Sequence, residues 1–121
     1  MENMRSGGSG GLIKFSVFSE VRERFCKNFL DLIIALILLR NEAVTGYKIL
    51  TLIYEDFGVL LAPSVLYPTL HLMEERGLVR RRKITERSGV YYLTEEGRLW
   101  VKERMIALTR LFMELERKTN L

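Results

Sequence analysis

The run from Pro63 to Gly77, PSVLYPTLHLMEERG, and the basic segment directly behind it leave this chain few ways to fold. At 100° per residue Leu66, Leu70, Met73 and Gly77 fall on one side of a helix. Ser64, Pro68, His71 and Glu75 fall on the other, with Tyr67 flanking them. One face is greasy; the opposite face is small, polar and aromatic. Pro63 suits the first helical position, where an N–H has no partner anyway, and Gly77 suits the left-handed residue past the last turn. Pro68 removes an intrahelical bond, at about 3 kcal/mol in a free helix interior, and is expected to bend the first turn.

After Gly77 come Leu78-Val79-Arg80-Arg81-Arg82-Lys83-Ile84, a polar Thr85-Glu86-Arg87-Ser88-Gly89, and Val90-Tyr91-Tyr92-Leu93. Two β-rich runs around a glycine-containing loop predict a hairpin. A short helix followed at once by a basic hairpin is the element order of a winged helix-turn-helix. In that arrangement the exposed helix face enters a DNA major groove and the hairpin lies along the backbone. Between Arg76 and Arg87 there are six basic residues and one acidic one, so the whole net charge of +4 is concentrated there.

Upstream, Phe29–Leu39 is almost wholly aliphatic but carries Asp31 and is much shorter than the ~20 residues of a membrane span. It predicts a buried helix, beginning near a Ser19 cap and running to about Arg40. No membrane association or signal peptide is expected, and the location is read as cytoplasmic. Thr45 predicts a second cap, with Tyr47, Leu50, Ile53 and Phe57 at helical spacing up to Gly58. Only Val59–Ala62 separates this helix from Pro63. Residues 1–11, rich in Gly and Ser, are read as a flexible tail. Thr94 predicts the cap of a last helix with Glu95 and Glu96 in its first turn. There Val101, Met105, Leu108, Phe112 and Leu115 alternate by four and three, a heptad seam widened by Trp100 and Leu111.

Four stretches in this order resemble the PadR-like transcriptional regulators: Gly46-Tyr47-Lys48-Ile49, Leu66-Tyr67-Pro68-Thr69-Leu70-His71, Glu74-Glu75-Arg76-Gly77-Leu78-Val79 and Tyr91-Tyr92-Leu93-Thr94-Glu95-Glu96-Gly97-Arg98. The resemblance covers about Asn28 to Arg98. It implies a winged-helix domain with a C-terminal dimerisation helix, mostly repressor activity, and in some members a response to small aromatic or hydrophobic effectors. One helix after the hairpin resembles the smaller subgroup. Many members carry a basic cluster before the Tyr-Tyr pair, where this chain has Ser88-Gly89-Val90.

The expected fold is mainly α with a small β-hairpin. Residues 12–93 form the winged helix-turn-helix, with a recognition helix at about 63–76 and a wing at about 78–93, and 94–121 form a long dimerisation helix. The expected function is a DNA-binding regulator acting as a homodimer on a pseudo-palindromic operator. The alternative is a winged-helix module that binds an acidic protein without reading DNA sequence.

Candidate DNA-contacting residues are Thr45, Tyr47, Lys48, Ser64, Tyr67, Pro68, His71, Arg80, Arg81, Arg82, Lys83 and Arg87. Several have second readings. His71 is either a contact or an ordinary surface histidine; Tyr67 packs on the wing or touches DNA; Ser64 caps its helix, donates to phosphate, or does both. Strand parity separates Arg80 and Arg82 from Arg81 and Lys83, so one pair is expected to face the backbone directly, and the sequence leaves open which. Candidate interface residues are Trp100, Val101, Met105, Leu108, Leu111, Phe112 and Leu115, with Trp100 either packing there or meeting an effector. One cysteine, Cys26, permits no internal disulfide and is read as a small buried filler; with the single His71 it builds no metal site. No cofactor and no enzyme chemistry is expected: there is no nucleophile–base set and no phosphate-cradling glycine loop.

Overall fold

The computed structural model describes residues 9–120, with side chains from residue 16 onward. The element order is α1 (Ser9–Asn28), α2 (Leu30–Arg40), α3 (Gly46–Phe57), α4 (Pro63–Glu75), β1 (Val79–Lys83), β2 (Gly89–Leu93) and α5 (Glu95–Thr119). The aliphatic helix α2 is the hub. Leu32, Ile33, Ile34, Ala35, Ile37 and Leu38 are all buried, against α3, α4, α5 and β2. Each of these leucines and isoleucines contributes about 1.5–3 kcal/mol of transfer free energy. Ile49 and Ile53 of α3, Leu66, Leu70 and Met73 of α4, and Val79, Tyr91 and Leu93 of the hairpin complete the core. Among the described residues no helix is long and apolar enough to cross a membrane.

The single first helix expected from Ser19 to Arg40 is instead two helices. Ser19 lies inside α1, which begins by Ser9, so residues 9–11 of the expected tail are helical and residues 1–8 lie outside the described part. The break is at Phe29 (φ −118°, ψ 42°). Its N–H still bonds to the Phe25 carbonyl at 2.8 Å, and the Phe25 and Phe29 rings stack with centroids 4.8 Å apart. The physical reason is a change of environment. α1 buries only Cys26 among the described side chains, whereas α2 is sealed nearly all round, so the axis must turn to enter the core. The Asp31 carboxylate accepts the Leu32 N–H at 2.7 Å, taking up one of the donors that a helix start leaves free.

Local stop and start signals act where the sequence places them. The Thr45 hydroxyl accepts the Lys48 N–H at 3.1 Å and Gly58 ends α3 in the left-handed region (φ 69°). Gly77 (φ 77°) ends α4 with two bonds, its own N–H to the Glu74 carbonyl and the Leu78 N–H to the Met73 carbonyl, both 3.0 Å. Pro68 sits inside a continuous α4. The N-cap position of α4 falls on Ala62, whose side chain makes no cap, so Ser64, inside the helix, is not the capping residue.

The hairpin pairs antiparallel from Val79↔Leu93 to Lys83↔Gly89, and Thr85 closes its turn by accepting the N–H groups of Arg87 and Ser88. Val44 adds a third rung: its N–H bonds to the Tyr91 carbonyl at 3.1 Å and the Tyr91 N–H returns to Val44 at 2.7 Å. The wing is thereby sewn to the segment that leads into α3. At its far end the Thr94 hydroxyl accepts the Gly97 N–H at 2.9 Å and donates to the Gly77 carbonyl at 2.6 Å. A methyl group on Gly97 would collide with the Leu78 carbonyl, so α5 starts hard against the end of α4.

Candidate nucleic-acid interface

Three elements converge on one side of the molecule: the start of α3, the exposed face of α4 and the wing. Thr45, Tyr47, Tyr67, Arg81 and Arg87 line a common cleft of about 280 Å³. Tyr47 is 76% exposed and projects beside it. Lys48 is exposed on the same first turn of α3. Ser64, Pro68 and His71 are exposed along α4, and the His71 imidazole lies 3.2 Å from the Glu75 carboxylate one turn on. The Tyr67 ring lies over Gly46, where any side chain would collide with it, and at 42% exposure it floors the cleft between α3 and the wing.

Strand parity is decided by the core. Val79 is buried and pairs with Leu93, so Arg81 and Lys83 share the face of Tyr91 and Gly89, and Arg80 and Arg82 take the face of Tyr92 and Val90. Lys83 lies 3.5 Å from the Glu86 carboxylate. Arg80, Arg81, Arg82 and Arg87 make no ion pair among the described residues. Burial pushes the Tyr91 phenol up from its ordinary value, and the neighbouring Arg81 guanidinium pulls it partly back. Gly46, Ser88, Gly89 and Tyr91 also line the cleft and were not among the expected site residues. Their part comes from cross-strand and inter-helix contacts that local spacing does not carry.

The C-terminal seam divides. Val101 is 3% exposed, inside the core of its own subunit, which removes it from the residues available to a second subunit. Leu108 and Trp100 pack partly against that core, and Arg104 lies over the indole at 4.6 Å. Met105, Leu111, Phe112 and Leu115 remain exposed. So do Leu99, Ile106 and Met113, a second apolar row at seven-residue spacing outside the expected seam. Among the described residues there is no group of side chains that could hold a metal ion.

A helix-turn-helix with its second helix exposed on a polar face, followed by an arginine-rich hairpin, defines a winged-helix DNA-binding protein. Residues 35–103 match the model of the transcriptional regulator PadR-like family, and the chain belongs to that family. No curated protein matches it. Among solved structures it is similar to RosR of H. salinarum, with 27% identity, a TM-score of 0.63, and 69% of this chain and 76% of that one covered. It is similar in fold to a PadR-like transcription factor from Bacteroides fragilis, at 20% identity, TM-score 0.68 and coverage of 81% and 97%. A PadR family transcription regulator from Clostridium difficile aligns at 21% identity, TM-score 0.65, covering 77% and 99%.

Proposed function

We propose that this DNA-binding regulator works as a homodimeric repressor on a pseudo-palindromic operator. Each subunit presents Ser64, Pro68 and His71 of α4 to the major groove, with Tyr67 at its edge. Arg80, Arg81, Arg82, Lys83 and Arg87 of the wing, together with Thr45, Tyr47 and Lys48, meet the flanking phosphates. The observation that carries this reading is the continuity of the exposed α4 face with a cleft whose guanidinium groups, Arg81 and Arg87, make no ion pair among the described residues. Such groups are more weakly hydrated than an ammonium, so they lose little on leaving water and gain charge-assisted, bidentate bonds from phosphate. Two subunits join through Met105, Leu111, Phe112 and Leu115, large apolar side chains that solvent otherwise covers. Repression follows from occupying DNA that polymerase needs. A small hydrophobic or aromatic effector would enter beside Trp100 on the same helix. The reading places the protein in the cytoplasm, where the chromosome is.

The test is a salt titration of binding to random-sequence duplex and to the DNA upstream of the protein's own gene. Five neutralised phosphates give a log K against log salt slope of about −4.5. Tight binding to the upstream DNA with a steep slope on both is the expected result. Equal, weak binding to both reduces the wing to a generic basic surface, and no binding to either turns the fold into a protein-interaction module.

A further inference from the structure

The geometry points to Arg81 as the residue with which the wing grips a single phosphodiester, held in aim by Gly89 and Tyr91 on the opposite strand. The proposal deepens the DNA-binding reading and rests on it. Four consecutive basic residues stand on β1, and charge alone does not distinguish them. Their surroundings do. Arg81 is paired across the hairpin with Tyr91, which is buried, and its guanidinium is laid diagonally over Gly89. A methyl group on Gly89 would sit 2.7 Å from the Arg81 Cζ and 2.8 Å from its Nε, closer than atoms approach. The absence of a side chain at position 89 is what lets the guanidinium lie close over β2.

Three consequences follow for the cation. Its rotamer freedom is reduced by the strand beneath it, so less entropy is lost when it binds. Its outer edge faces the cleft shared with Thr45, Tyr67 and Arg87, which has room for one phosphate group. It has no carboxylate partner among the described residues, whereas Lys83 on the same face has Glu86. Arg80 and Arg82, on the other face, line no part of this cleft. A planar fork with two donors on one side matches the two free oxygens of a phosphodiester.

The experiment compares single variants of the full chain by fluorescence anisotropy with a labelled random-sequence duplex, across a range of salt concentrations. Arg81→Ala and Arg80→Ala remove equal charge. The expected result is a loss of about tenfold for Arg81→Ala, with the salt slope shallower by about one, against about two- to threefold for Arg80→Ala. Gly89→Ala keeps every charge, and the atom it displaces is the far end of a flexible side chain, so the fold tolerates it. It is expected to weaken binding nearly as much as Arg81→Ala, and the double variant to add little to either. Equal losses from Arg80→Ala and Arg81→Ala would overturn the proposal, as would binding by Gly89→Ala as tight as wild type. If the unaltered protein does not bind duplex DNA at any salt, the DNA-binding reading itself fails and takes the grip with it.

Discussion

The Thr94 hydroxyl donates a 2.6 Å hydrogen bond to the Gly77 carbonyl while accepting the Gly97 N–H at 2.9 Å. One side chain therefore ties off the end of α4 and opens α5. Thr94 also gives its own N–H to the Leu78 carbonyl at 3.0 Å, so the joint is bonded from both backbone and side chain.

Removing that hydroxyl strips a helix cap and leaves a partly buried carbonyl without its donor. Thr94→Val, which keeps the shape, is expected to destabilise the fold by about 1–3 kcal/mol. Urea unfolding measures it, and Thr94→Ser restores most of the loss because it returns the oxygen.

Phe112 is 54% exposed and makes no part of the core, so Phe112→Glu leaves the subunit folded and places charge in the proposed dimer seam. Sedimentation equilibrium is expected to show monomers with an unchanged far-ultraviolet spectrum. Leu108→Glu is the poorer probe, because Leu108 packs partly on its own core and the change costs stability as well.

His71 is exposed, and among the described residues its one charged neighbour within ion-pair distance is Glu75 on its own helix, so His71→Ala is expected to alter stability by no more than about 0.5 kcal/mol. Its effect belongs to recognition: the preference between operator and random duplex changes more than affinity for random duplex does. Competition binding with both duplexes reads that ratio.

Cys26 is 1% exposed, and burial raises its thiol above the ordinary value of 9.0, with Arg22 opposing the rise. The thiolate is the reactive form, so alkylation of the native protein at neutral pH is expected to be slow and to become fast only in denaturant. The raised value also has a sign for stability. The unfolded chain loses this proton first, so the contribution is complete below pH 9 and falls as pH rises through the folded value. Urea midpoints measured through the alkaline range, for wild type and Cys26→Ala, test it; the wild type loses more stability there.

Caps and stops were legible because their chemistry is local. Thr45 and Thr94 each cap an N–H three residues on, and Gly58 and Gly77 act by a backbone conformation that glycine adopts freely; the bond from Thr94 back to Gly77 is long-range. The apolar face of α4 was legible for the same reason of period. The break at Phe29 was not, since no proline or glycine marks it and the turn answers to packing that the segment cannot see. Periodicity also found the stripe on α5 but not its division, because Val101 is buried in, and Leu108 packs partly against, a core that α5 shares with α2, an element far away in the chain. The cleft was half legible. Its arginines are plain in the sequence, but the closeness of Gly89 to Arg81 and of Gly46 to Tyr67 exists only once strands pair and helices cross.

Only Thr94 separates the last residue of β2 from the first of α5, and it is tied down on both sides. The subunit has no slack between the part that meets DNA and the helix that would meet a second copy. α5 spans about 37 Å at 1.5 Å per residue, close to one turn of B-DNA, so in the proposed dimer it would serve as a crank arm about as long as the half-site spacing. Tilting one α5 against another would swing α4 through a matching arc, with no hinge along the way to absorb it. A molecule wedged between the two arms could therefore spoil the fit to DNA without approaching the wing or α4 at all.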